Sequence, residues 1–169
     1  MPAAVTHILT GLFLGELIRR TFFPKYSQAY VLVAGIAGLF PDIDVALFFV
    51  LKLILGNTVL FEAVHRGFTH TIWLPLIFLA ASLVALSLKK EKHFVLFYMI
   101  TIGTFSHILL DFIFSERLLL FYPLSMAWNG LGLLQNDQFG RTVMLSLDAA
   151  ILTLWLIYIY WRGYLKKFI

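Results

Sequence analysis

The chain has 169 residues, 61% of them apolar and 13% charged, with 13 Lys and Arg against nine Asp and Glu, and its mean hydropathy is +0.91. Soluble domains average about 45–50% apolar and about 25% charged residues, so an ordinary cytosolic enzyme, a disordered chain and a secreted scaffold are all excluded. The absence of cysteine removes disulfides, thiolate metal ligands and cysteine nucleophiles.

The composition predicts an all-α, polytopic integral membrane helical bundle of about five spans, forming one membrane-embedded domain over 1–169. The first apolar segment, Ala3–Ile18, is followed by Arg19 and Arg20. A cleavable signal carries its charge before the apolar stretch, so this segment reads as a retained helix. The second, Ser27–Leu55, is broken at Phe40-Pro41-Asp42-Ile43-Asp44, because proline ends one helix and favours the start of another. The third, Thr71–Leu88, has no charge; the fourth is His93–Phe114; the fifth, Thr142–Trp161, holds Asp148. A span needs ~20 residues, which the third to fifth supply, and the first is short. With five crossings, the clusters Arg19-Arg20-Lys25, Lys89-Lys90-Lys92 and Arg162-Lys166-Lys167 share one side. The positive-inside rule makes that side cytoplasmic. The basic excess then speaks of topology and lipid headgroups, with no nucleic-acid partner.

Ionisable residues inside a membrane are costly, so each is a functional candidate. Asp42 and Asp44 stand two apart in an apolar stretch, where a cation would relieve their repulsion; a helix N-terminus is the competing explanation. His65-Arg66-Gly67-Phe68-Thr69-His70 places two histidines five apart, about 140° around a helix, so a bend at Gly67 is needed to aim both inward. Thr69 is positioned to cap the following helix. His107 and Asp111, four apart, share one helix face, either as two ligands or as a ligand and its orienting carboxylate. His7 lies one turn into the first helix, and His93 reads as interfacial. Depth adds a constraint. Asp42 falls ~18–22 Å from the cytoplasmic start of its segment, and His107 and Asp111 ~21 and ~27 Å along theirs. The candidate ligands thus converge on the outer half of the membrane. Their chemistry suits one or two divalent transition metal ions, zinc first and manganese or iron as alternatives.

His7, Pro41-Asp42-Ile43-Asp44, His65-Arg66-Gly67-Phe68-Thr69-His70 and the pair His107 and Asp111 together resemble the YdjM-like family, described as LexA-regulated, membrane-bound metal-dependent hydrolases. The resemblance covers about Thr6 to Pro123. Thr71 stands where the family usually has serine and keeps the hydroxyl. The resemblance implies metal-binding roles for His7, Asp42, Asp44, His65, His70, His107 and Asp111, and a hydrolytic activity of unnamed substrate.

The expected function is therefore a metal-dependent hydrolase of the cell membrane acting from the outer-leaflet side, with Asp44 or Asp111 as base or water-orienting group. Arg66, Arg117 and Arg141 lie on the outer side against the charge rule, and arginine forks suit phosphate oxygens. This points to a lipid or lipid-linked, phosphate-containing substrate, with Arg66 contacting it. The long segment from Ser115 to Arg141 is expected to be a lid, with Leu118–Trp128 gating at the interface. The alternatives are a metal-ion or proton transporter, or a structural membrane protein with a metal staple.

Overall fold

The first apolar segment forms α1, Ala4–Phe22. It runs past Ile18 because Arg19 finds Glu16 one turn back, with Nε and an outer nitrogen 2.8 and 3.1 Å from its two oxygens. The second segment is split as its proline dictates. Helix α2 covers Ala29–Ala37 and α3 covers Ile43–Leu55, joined by tight turns through Gly38, Leu39 and Phe40. A single 3-10 turn, Phe68–His70, precedes α4, Trp73–Ser87. Helix α4 starts later than Thr71 because the Ile72 amide donates to the Leu120 carbonyl instead. Helix α5, Glu91–Phe114, gains a first-turn carboxylate that favours its N-terminus. Helix α6 is Gln138–Trp161. These elements come from a computed structural model that describes residues 4–56, 68–115, 117–133 and 138–163. Among them the chain is all-α, apart from one isolated antiparallel bridge between Leu118 and Asn129.

Helices α1, α2 and α5 pack on one another, α4 packs on α5, and α6 packs on α1. The arrangement is inside-out. The buried set includes Glu16, Arg19, His70, Ser82, Thr104, His107 and Asp111, while large apolar side chains such as Phe13, Leu32, Leu53, Val84, Leu109 and Leu154 face outward. Among the described residues, fourteen buried ones are polar or charged against eleven that are apolar, a balance that suits a hydrocarbon solvent and not water. One helix among the described residues, Glu91–Phe114, is long and apolar enough to cross a membrane. Trp73–Ser87 and Ala149–Trp161 are shorter apolar helices.

Close approach of the backbones sets the geometry of the core. A Cβ on Gly103 of α5 would stand 2.2 Å from the Ala34 carbonyl oxygen of α2, and one on Gly11 of α1 would stand 2.6 Å from the same atom. Such small-residue contacts are how helices approach in a membrane, where apolar transfer contributes little to association. Residues Gly103, His107 and Asp111 recur every four positions on α5, as do His7, Gly11 and Gly15 on α1, so the polar residues continue the glycine faces. The hydroxyls of Thr101, Thr104 and Ser106 donate to carbonyls of their own helix, which satisfies them without a partner helix.

The opposite end is tied by charge. Glu16 holds Arg19, and the Tyr158 hydroxyl of α6 donates to Glu16 at 3.0 Å while accepting from Arg20 at 2.9 Å. Lys25 donates to Glu91 at 2.6 Å, which raises the Lys25 ammonium above its usual range.

The loop over Leu118–Trp128, expected to gate at the interface, is closed at its ends and held to its neighbours by hydrogen bonds. The Leu118–Asn129 bridge closes the loop at 3.1 and 2.8 Å, Leu131 and Leu133 amides donate to the Phe112 and Ile113 carbonyls, and the Trp73 indole donates to the Tyr122 carbonyl at 2.9 Å. The segment that follows the loop, through Leu131 and Leu133, caps orphan carbonyls at the end of α5, a requirement of every helix terminus.

Replacing Gly103 with alanine should separate α2 from α5, since the clashing atom is backbone and cannot rotate away. We expect a loss of ~1–3 kcal/mol or more, read as a lower melting temperature in detergent. A melting temperature equal to wild type would mean that the helices are not in contact at this position.

Candidate metal centre

Five elements bring polar side chains to one end of the bundle. Helix α1 supplies His7, the turn between α2 and α3 supplies Asp42, the first turn of α3 supplies Asp44, the 3-10 turn supplies His70, and α5 supplies His107 and Asp111. His107 and Asp111 stand ~24 and ~30 Å along α5 from Glu91 at 1.5 Å per residue. The site therefore lies far from the lysine-rich end.

His107 and His70 are each oriented from behind. The Nδ1 of His107 donates to the Gly38 carbonyl at 2.7 Å, which leaves Nε2 as the free nitrogen of the neutral ring. The Nδ1 of His70 lies 3.2 Å from Asp44 Oδ2, and the same oxygen accepts from the Thr69 hydroxyl at 2.7 Å. A carboxylate behind a ligating imidazole fixes its tautomer and raises its basicity.

The two Nε2 atoms meet at 3.3 Å. Asp42 Oδ1 is 3.4 Å from His70 Nε2 and 3.6 Å from His107 Nε2. Asp111 Oδ2 is 3.6 and 3.7 Å from the same two nitrogens. Four donors at 2.0–2.2 Å around one ion form a tetrahedron whose edges are about 3.3–3.6 Å. Four of the five separations above fall on such edges, and the fifth, between His107 Nε2 and Asp111 Oδ2, is slightly longer at 3.7 Å.

The state of Asp111 is a second test of fit. It is fully buried, and neither of its oxygens has a hydrogen-bond donor. A buried carboxylate without partners is strongly disfavoured, and a cation supplies what is missing. Both ring nitrogens of His7 are also buried without a hydrogen bond. His7 stacks on His107 with centroids 3.8 Å apart and points Nε2 at Asp111 Oδ1 from 3.7 Å. Two overlapping groups can hold an ion: Asp42, His70 and His107, and His7, His107 and Asp111.

Residues 1–168 match the family described as YdjM inner membrane protein. The chain belongs to that family. Comparison with curated proteins and with solved structures returned no match. The inner-membrane description and the outward-facing apolar surface agree that this is a membrane protein.

Of the residues singled out in the sequence, the structure brings together His7, Asp42, His70, His107 and Asp111, and sets Asp44 behind His70 and outside the four converging donors. Asp42 and Asp44 are about 200° apart around a helix, so His70 is reached from two sides. Asp42 sits at the N-cap of α3 yet makes no capping hydrogen bond; its carboxylate turns to the histidines. Thr69, expected as a helix cap, serves Asp44 instead. His65, Arg66 and the side chains of Arg141 and Asp148 lie outside the described residues, and Arg117 is exposed in the loop after α5. The Gly38 carbonyl is the partner that sequence reading missed, and no sequence signal marks a backbone acceptor.

The geometry ranks the ligands. His70→Ala and His107→Ala should abolish metal binding, while Asp44→Asn should weaken it ~10- to 100-fold. Metal titration of the three variants checks this order. An Asp44→Asn protein as empty as His107→Ala would move Asp44 into the ligand set.

Proposed function

We propose that the protein is a metal-dependent hydrolase of the cell membrane, acting on a lipid or lipid-linked, phosphate-containing substrate from the outer-leaflet side. The observation that carries this reading is the meeting of the His70 and His107 Nε2 atoms at 3.3 Å, with Asp42 on one side and on the other Asp111, a buried carboxylate with no hydrogen-bond donor of its own. Zinc fits that spacing best, with manganese or iron as alternatives. Such an ion supplies Lewis acidity, which acidifies water and polarises an ester or phosphoryl oxygen.

The chain's own residues do the remainder. Gly38 and Asp44 hold the two imidazoles in the ligating tautomer. Asp111 Oδ1, turned to His7 and away from the other donors, is the acceptor available for a proton from water. Arg66 supplies the phosphate contact. The five-span topology remains our reading of the membrane arrangement. It sets the site on the extracytoplasmic side because Lys25, Lys89, Lys90 and Lys92 gather at the other end.

A transporter would need polar groups through the full thickness. The hydroxyls of α5 below the site bond within their own helix, which favours a one-sided site. The metal staple is separated by activity.

Purified protein should carry about one zinc equivalent per chain by elemental analysis; two would assign His7 and Asp111 to a second ion. Chelation should lower the melting temperature and abolish hydrolysis in a phospholipid and polyprenyl-phosphate screen, and zinc should restore both. Stabilisation without hydrolysis would leave the staple. Protein that takes up neither zinc nor manganese would end the reading. In metal-loaded protein, Arg66→Lys should cost ~10-fold or more in rate at unchanged metal content; an unchanged rate would remove Arg66 from the phosphate contact.

A further inference from the structure

The four histidine and carboxylate ligands other than Asp42 are sealed. His7, His70, His107 and Asp111 expose at most 1% of their surface, whereas the Asp42 side chain is 25% exposed. Among the described residues, Asp42 is the ligand through which the site meets its surroundings. What it meets is an open groove of about 780 Å³, within the range of small-molecule sites. Apart from Asp42, the groove is apolar, lined by residues such as Ile36, Leu39, Phe40, Ile43, Ala46 and Phe49. It runs between the end of α2 and the outward face of α3, whose side chains are among the most exposed apolar groups of the molecule.

We infer that this groove is a lateral portal that seats the hydrocarbon part of an amphiphilic substrate while its anionic head reaches the ligands past Asp42. The inference rests on the hydrolase reading and adds to it a seat for the substrate's hydrocarbon part and a direction of approach. Two observations select a single alkyl chain as occupant. The groove is continuous with the site through a shared residue, and its walls offer hydrocarbon contact with no other charge. Water-soluble substrates would find no polar path along it. The Asp42 carboxylate at its inner end would repel an anionic head in the absence of a cation, so binding of the head requires the loaded site.

The test uses binding and not turnover. The full-length protein is loaded with cobalt, whose visible spectrum reports its ligands, and titrated with inorganic phosphate and with n-alkyl phosphates of two to eight carbons. Wild type should bind more tightly with each added carbon, by up to about fourfold per buried methylene. Ala46→Trp and Ile36→Trp, on opposite walls and at exposed positions, should fill the groove. Each should bind inorganic phosphate within about twofold of wild type but octyl phosphate at least about tenfold more weakly. Partition into detergent is common to all three proteins and cancels in the comparison. Octyl phosphate binding that is unchanged in both variants overturns the portal and leaves the hydrolase reading standing. Cobalt uptake that fails in wild type overturns the hydrolase reading, and the portal with it.

Discussion

The contact between Gly103 and the carbonyl of Ala34 governs everything at the site end of this protein. A side chain at either glycine of that contact would hold α5 and α1 away from α2. Because both are glycine, the three backbones touch, and the rings of His7 and His107 are brought face to face one turn further on. The same proximity lets His107 hydrogen-bond the carbonyl of Gly38. In a hydrocarbon solvent, burial of apolar surface cannot drive this approach. Close packing and polar bonds have to do so, and here the two are built from one repeat of four along α1 and along α5.

The polar groups divide into two ends with different logic. At the lysine-rich end, charges are matched by protein partners: Glu16 has Arg19 and Tyr158, and Glu91 has Lys25. At the other end they are not. Asp111 and His7 are buried without hydrogen bonds, and Asp42 gives up a capping bond that its position would allow. Satisfied networks stabilise a fold, whereas a set of buried groups left open in one direction is how a binding site differs from a structural knot.

The sequence revealed the large features because they depend on local chemistry. Apolar runs marked the helices, Pro41 marked the break between α2 and α3, and the depth of His107 and Asp111 along an unbroken helix brought them to the level of Asp42. The division of labour between Asp42 and Asp44 was less accessible. Spacing two apart says that they diverge, but not that His70 arrives between them. Thr69 read as a cap because capping is the common use of threonine before a helix, and the nearby carboxylate of Asp44 outcompetes that role. The Glu16 to Tyr158 link joins the two ends of the chain, and nothing local predicts it. Likewise the length of the loop after α5 was legible, but not that Leu131 and Leu133 return to cap the carbonyls of Phe112 and Ile113.

The ligands come from opposite ends of a long stretch of chain, with His7 in the first helix and Asp111 in the fifth. That separation has a consequence for biogenesis. During synthesis, His7, Asp42, Asp44 and His70 are made before α5, and neither candidate group is complete until His107 arrives with that helix. For that interval the carboxylates of Asp42 and Asp44 have only the imidazole of His70 and the hydroxyl of Thr69 beside them. The cluster is therefore complete only once α5 is in place, and a chain halted before α5 would lack two of its five converging side chains, His107 and Asp111.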